Sequence, residues 1–315
     1  YNKIINLGYV SGKALRLKDA QGRYSEYLKS TLIKNTKFRK LKIVLDCANG
    51  ATYHVAPNIF WEIGCEVIAI NNYPNGKNIN DKCGAVNINE LSKKVVSTKS
   101  NIGFAFDGDG DRLIAVDEKG NEIDGDKLIA LFAKEFLNSK ILNKKTVVTT
   151  VMSNLGFEKY LQKELGIKLL RESVGDINVI SKMKKNKLNL GGEQSGHIIL
   201  GQYMSTGDGI LAALKITEFL SNKNIKTSEM FNLYETYPQI KNNIFIKKNL
   251  SKKINDQIND LYFSYRKKYK DIRFLIRKSG TEPLIRVLVE GKIDTNVIKV
   301  SAEIVKKLNK ILNVK

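Results

Sequence analysis

Three carboxylates stand at alternate positions in Asp107-Gly108-Asp109-Gly110-Asp111, with Arg112 directly after them. Glycine lets the backbone between them take turns that other residues resist, so the three can converge on one point. Like charges packed this closely repel unless a cation joins them, and hard oxygen ligands suit Mg²⁺ or Ca²⁺. The bland alternative is a solvated acidic turn. An EF-hand loop reads similarly, with Glu118 at the required last position, but Arg112 occupies the place of its turn glycine. The flanks Ile102–Phe106 and Leu113–Val116 also read as strands rather than helices. A Mg²⁺ site with a guanidinium beside it suits a phosphoryl group, because both can face phosphate oxygens.

Two further clusters carry chemistry. Gly191-Gly192-Glu193-Gln194-Ser195-Gly196-His197 lies between two apolar runs and offers the donors and acceptors that sugar hydroxyls need. Alone it could be a polar hairpin turn, with His197 a local hydrogen-bonding group. Arg277-Lys278-Ser279-Gly280-Thr281-Glu282-Pro283, followed by Arg286, combines hydroxyls, backbone N–H groups near a glycine and flanking cations. That is a phosphate cradle or an ordinary turn with surface cations. Taken together, a metal loop, a polar loop and a phosphate cradle describe an interdomain cleft for a phosphosugar.

These loops need elements to hold them. Strand-like runs at Leu41–Asp46, Glu66–Ile70, Ile102–Phe106 and Arg112–Asp117 alternate with helical stretches, the first over 14–37. The pattern restarts with a helix over 126–138, then strands Thr146–Val151, Ile167–Arg171, Leu188–Gly191 and Ile198–Leu200 between helices. This predicts two similar α/β units with mainly parallel strands, a possible structural repeat without residue-level similarity. The last part differs: strand Asn243–Lys247, a helix, the hairpin Ile272–Arg277 and Leu284–Glu290, and a final helix form a smaller α+β unit. The expected divisions are 1–117, 118–233 and 234–315, with a linker at Tyr234–Asn242 around Pro238.

Composition narrows the class. The 315 residues are 42% hydrophobic and 27% charged, which excludes a wholly disordered chain. Three cysteines without zinc or disulfide spacing favour a reducing setting, hence a cytoplasmic location, and no apolar run is long enough to span a membrane. The net charge of +21 could attract nucleic acid, but only nine of the 53 basic residues are arginine and the lysines are dispersed. Neither nucleic acid nor membrane is therefore expected as a partner.

The three motifs, in this order and spacing, resemble the α-D-phosphohexomutase superfamily, and the resemblance covers essentially the whole chain. The segments DCANGATY (46–53), PNGKNIN (74–80), GEQSGH (192–197) and STGDG (205–209) are most similar to its phosphoglucosamine mutase branch. The resemblance implies domains two to four of a four-domain enzyme. It implies interconversion of glucosamine 6-phosphate and glucosamine 1-phosphate through a phosphoserine and a 1,6-bisphosphate intermediate. Mg²⁺ would sit on Asp107, Asp109 and Asp111, with Arg112 beside the transferring group. Glu193, Ser195 and His197 would hold the sugar, and Arg277, Ser279, Gly280, Thr281 and Arg286 the non-reacting phosphate. Phosphomannomutase or phosphoglucomutase activity is the neighbouring alternative.

Two features depart from that pattern. The family's nucleophilic serine lies in Ser-His-Asn-Pro, and the two histidines here, His54 and His197, have no such context. The expected nucleophile therefore belongs to an N-terminal domain of the same protein outside these residues, and a non-catalytic sugar-phosphate-binding remnant is the second reading. In Val174-Gly175-Asp176, isoleucine (Ile177) follows where the family has arginine, with Lys182 a candidate replacement.

Overall fold

The structure is a computed structural model that describes residues 17–34, 36–38, 41–223, 225–246, 250–279 and 282–312. Helix α1 (Ala20–Ser30) precedes an α/β layer of β1 (Lys42–Asp46), α2 (Val55–Glu62), β2 (Glu66–Ile70), α3 (Asn89–Ser97), β3 (Ile102–Phe106), β4 (Leu113–Asp117) and the short β5 (Glu122–Ile123). Strands β1 and β3 are aliphatic or aromatic on both faces and almost wholly buried, as central strands covered by helices must be. The sheet order is β2-β1-β3-β4-β5; β1 pairs β2 and β3 in parallel, and β4 returns antiparallel to β3.

The second layer repeats this plan. Helix α4 (Gly125–Asn138) leads to β6 (Thr146–Thr150), α5 (Leu155–Lys163), β7 (Lys168–Glu172), α6 (Asp176–Asn186), β8 (Leu190–Gly192) and β9 (Ile198–Leu200). Helices α7 (Gly209–Lys223) and α8 (Thr227–Met230) close the unit. Its order is β7-β6-β8-β9, again parallel, parallel, then antiparallel. The expected repeat is therefore topological. Its consequence is that Asp107–Arg112 (the β3–β4 turn) and Glu193–His197 (the β8–β9 turn) are equivalent hairpin tips.

One core serves both layers. Helix α7 is buried along most of its length and packs on β3 and β4 of the first sheet as well as β9 of its own. Its Phe132-lined surroundings join Phe60, Phe104 and Phe106 in a single apolar cluster. Fully burying each such ring is worth roughly 1.5–3 kcal/mol, so the two hairpin tips are held in fixed relation.

The third unit is the antiparallel sheet β10 (Gln239–Phe245), β12 (Leu284–Gly291), β11 (Ile272–Lys278), with α9 (Lys252–Lys268) and α10 (Asp294–Leu312) on one face. Here two expectations are corrected. Strand β10 begins inside the stretch read as a linker, because Ile240, Asn242 and Ile244 alternate inward while Lys241 and Asn243 face out, and polar residues masked that period. Its expected end, Lys247, lies outside the described residues. Helix α1 is shorter than 14–37: residues up to 16 lie outside the described residues, and after Ser30 the chain is captured by α7. There the buried Lys215 Nζ donates to Thr31 O at 2.7 Å and to Glu218 at 2.8 Å, and Glu218 accepts from Ile33 N. Among the described residues no helix is long and apolar enough to cross a membrane, and Cys47, Cys65 and Cys83 are buried free thiols.

Candidate active site

The first hairpin tip gathers its acids. One ligand atom from each of Asp107, Asp109 and Asp111 lies within 4.8 Å of the others. Asp107 is buried, and its Oδ1 accepts from Arg112 N at 3.0 Å. Burial, with the charges of Asp111 and Asp109 beside it, pushes its carboxyl up to about 6. Asp111 Oδ2 lies 3.1 Å from His197 Nδ1, while its buried Oδ1 has no hydrogen-bond partner among the described residues. Three converging carboxylates, with an unspent buried oxygen on Asp111, fit a hard divalent cation. The Arg112 guanidinium stands at 3.7 Å from Asp107 and 3.8 Å from Asp111, with its Nε also unspent.

Neighbouring loops brace this tip. Leu113 N donates to Gly196 O at 2.9 Å, and Gly209 N to Gly110 O at 2.9 Å, so both the 191–197 and 205–209 segments hold it. From the first sheet, Ala51 N donates to Gly108 O at 2.8 Å. A Cβ on Gly50 would lie 2.2 Å from that carbonyl oxygen. Gly50→Ala must therefore displace the loop, and we expect it to weaken Mg²⁺ binding at least tenfold, read by calorimetric titration, with a smaller effect on thermal stability.

The second tip faces the same cleft. A cavity of about 500 Å³ is lined by Arg112, Glu193, Gln194 and Ser195, together with Thr150, Met152 and Lys241. Glu193 is 8% exposed and accepts from Gly175 N at 2.9 Å, and Ser195 Oγ lies 3.4 Å from its other oxygen. His197 departs from the expected sugar contact. It is 2% exposed, its Nδ1 faces Asp111, and its Nε2 accepts from Gly207 N at 3.2 Å, because β9 turns it inward behind the metal loop. Ile177 is 72% exposed, and Lys182 is spent on Glu172 at 2.7 Å rather than lining the cleft.

The cradle lies across the cleft. Arg277 and Arg286 are register partners on β11 and β12 and line an adjoining cavity of about 340 Å³. Burial and the neighbouring Arg286 charge pull the Arg277 guanidinium below its ordinary range. Both Nε atoms are buried without a hydrogen-bond partner among the described residues, and Arg286 also meets Glu282 at 2.7 Å. Paired guanidinium groups with unspent donors call for an anion. Ser279 is buried, its N donating to Leu284 O at 2.9 Å; Gly280 and Thr281 lie outside the described residues. Arg273 of β11 anchors this sheet to the second layer: it donates to Ser153 O at 3.3 Å, to Val151 O and to the buried Glu290, which accepts from Leu155 N at 3.2 Å.

The sequence did not reveal Lys241, Met152 or Thr150 as cleft residues. Met152 and Lys241 line both cavities. Only the cross-sheet geometry brings them there, although the period of β10 could have marked Lys241.

Comparison with known proteins agrees with this architecture. The models for Phosphoglucomutase/phosphomannomutase domain II, domain III and the C-terminal domain match residues 22–120, 124–237 and 251–307. A phosphoglucosamine mutase of Campylobacter fetus is 44% identical over 318 aligned residues, covering 99% of this chain and 70% of that protein. The chain belongs to the phosphohexomutase family. Another phosphohexomutase relative, the phosphoglucosamine mutase of Zymomonas mobilis, is 46% identical over 284 residues, 89% of this chain and 63% of that protein. The chain thus spans roughly two thirds of the length of these relatives. Among solved phosphohexomutase-fold structures, a Phosphoglucomutase/phosphomannomutase family protein from Burkholderia thailandensis superposes with a TM-score of 0.79 at 23% identity, covering 99% of this chain and 69% of that one. Aspergillus fumigatus N-acetylphosphoglucosamine mutase, in complex with GlcNAc-6P and magnesium, gives 0.74 at 18% identity, covering 97% and 68%. At these identities the likeness is one of fold.

Proposed function

We propose that this chain forms the metal-binding, sugar-binding and phosphate-binding parts of a phosphoglucosamine mutase, with units divided near 118 and 234. The enzyme interconverts glucosamine 6-phosphate and glucosamine 1-phosphate, a step toward UDP-N-acetylglucosamine and the cell wall, in the cytoplasm. The observation that carries this reading is that the cavity lined by Arg277 and Arg286 shares Met152 and Lys241 with the cavity lined by Arg112, the residue that directly follows the acidic trio. Relatives of that name at 44–46% identity support the glucosamine branch.

Asp107, Asp109 and Asp111 would hold Mg²⁺, which supplies charge neutralisation for phosphoryl transfer. Arg112, whose Nε faces Asp107 and Asp111 and whose side chain lines the cleft, stabilises charge as it develops on the transferring oxygens. Glu193 and Ser195 accept and donate to sugar hydroxyls. Arg277 and Arg286, with the 279–281 turn, hold the phosphate that is not reacting. The phosphoryl donor is a phosphoserine supplied from outside residues 1–315. It gives its phosphoryl group to the free hydroxyl of the substrate, and the resulting 1,6-bisphosphate turns over in the cleft. The other phosphoryl group then returns to the serine oxygen. His197, tied to Asp111, positions the metal loop.

The test is kcat/KM for glucosamine, glucose and mannose phosphates, measured on the enzyme that includes the serine-bearing segment. We expect the glucosamine phosphate to be preferred by at least tenfold, the range a site built around one polar substituent can reach. A preference for the mannose phosphate would move the chain to the phosphomannomutase branch.

A further inference from the structure

The C-terminal sheet has two unlike faces. Ile244, Ile285, Val287 and Phe274 turn toward α9 and α10. The opposite face is set by strand register: on β10 and β12, Lys241 stands opposite Leu288 and Asn243 opposite Arg286, and on β11 and β12, Arg277 stands opposite Arg286. Directly opposed residues on antiparallel strands share a face, so Lys241 projects from the same face as the two cradle arginines. It lines both the 340 Å³ cavity of the cradle and the 500 Å³ cleft that holds Arg112, Glu193 and Ser195. Its side chain is exposed to that cleft and has no hydrogen bond or ion pair among the described residues, whereas Lys182, Lys215 and Lys223 are each paired with a glutamate.

We propose that Lys241 is a substrate-binding residue, a further cation that contacts the phosphosugar between the arginines of the cradle and Arg112 and sets its affinity. The inference rests on the phosphosugar reading above and adds a residue that none of the three loop motifs contains. Lysine suits this place. Its ammonium is a mobile point charge on a flexible stem, able to follow an anionic ligand that presents first one phosphate and then the other to the cradle. An ammonium hydrogen-bonded to a phosphate oxygen is a charge-assisted contact, so its loss should cost about tenfold in affinity.

The test is calorimetric titration of residues 1–315 with glucosamine 6-phosphate in the presence of Mg²⁺, with glucosamine, which carries the same amine but no phosphate, as the control. Lys241→Ala should weaken binding of the phosphosugar about tenfold and flatten its dependence on salt, Lys241→Arg should restore most of the affinity, and glucosamine should not respond. Thermal melting should be unchanged, because the side chain is exposed. If the unsubstituted chain binds the phosphosugar and Lys241→Ala binds it within twofold, the inference about Lys241 is overturned and the functional reading stands. If the unsubstituted chain does not distinguish the phosphosugar from glucosamine, both fall.

Discussion

Asp109→Asn should cut Mg²⁺ affinity of this chain, and turnover of the complete enzyme, by about a hundredfold or more. Asp109 is the exposed member of the trio, so its replacement leaves the buried Asp107 and the core around Phe106 in place. What changes is charge: one of three carboxylates is lost at a point where the oxygen atoms lie within 4.8 Å of each other. A neutral amide still offers an oxygen, but not the negative charge that repays dehydration of a small hard cation. Mg²⁺ titration followed by calorimetry reads the first effect, and kcat at a series of Mg²⁺ concentrations reads the second. Activity at low Mg²⁺ equal to that of the unsubstituted enzyme would remove the metal assignment.

Residues 1–315 alone should show no mutase turnover. Covalent phosphoryl transfer needs a hydroxyl positioned beside the metal and activated there. Ser153 is fully buried, and Ser195, which does line the cleft, keeps its Oγ 3.4 Å from Glu193 and has no His-Asn after it. Neither can stand in for the expected Ser-His-Asn-Pro serine. On the proposed reading, in which the serine-bearing segment completes the cleft, a phosphoryl group at the metal would without that segment also meet water, which favours hydrolysis over transfer. The assay is the chain with glucosamine 6-phosphate, Mg²⁺ and a catalytic amount of the 1,6-bisphosphate. Glucosamine 1-phosphate formed at an ordinary enzymatic rate would place the nucleophile within these residues. No turnover, followed by recovery on adding the serine-bearing segment, would separate an incomplete enzyme from a non-catalytic binding remnant.

Much of this architecture is legible from local pattern. The alternation of apolar runs with helical stretches anticipates both α/β layers, because strands buried on both faces, such as Ile102–Phe106, read as continuous apolar segments. The candidate metal loop Asp107–Arg112 is legible because its acids are contiguous in the chain. What is set by contacts distant in sequence is not. Strand β10 is an edge strand whose outward residues are Lys241 and Asn243, so its period is diluted and its place beside β12 is visible only in the sheet. His197 sits in a motif full of polar side chains read as sugar contacts, but the strand after it turns its ring behind Asp111. The repeat is invisible residue by residue because only strand order, not side-chain identity, is shared.

The central claim is that one cleft takes a phosphosugar, with its non-reacting phosphate on Arg277 and Arg286. The most direct measurement is calorimetric binding of glucosamine 6-phosphate, with glucosamine alongside, to the unsubstituted chain and to Arg286→Gln, a change that removes a cation from an intermediate-burial position on β12 without shortening the strand. The account predicts binding of the phosphosugar but not of glucosamine at the same concentrations, weakened about tenfold or more by the substitution. Equal affinity for the two sugars, or a phosphosugar affinity indifferent to Arg286, would contradict it.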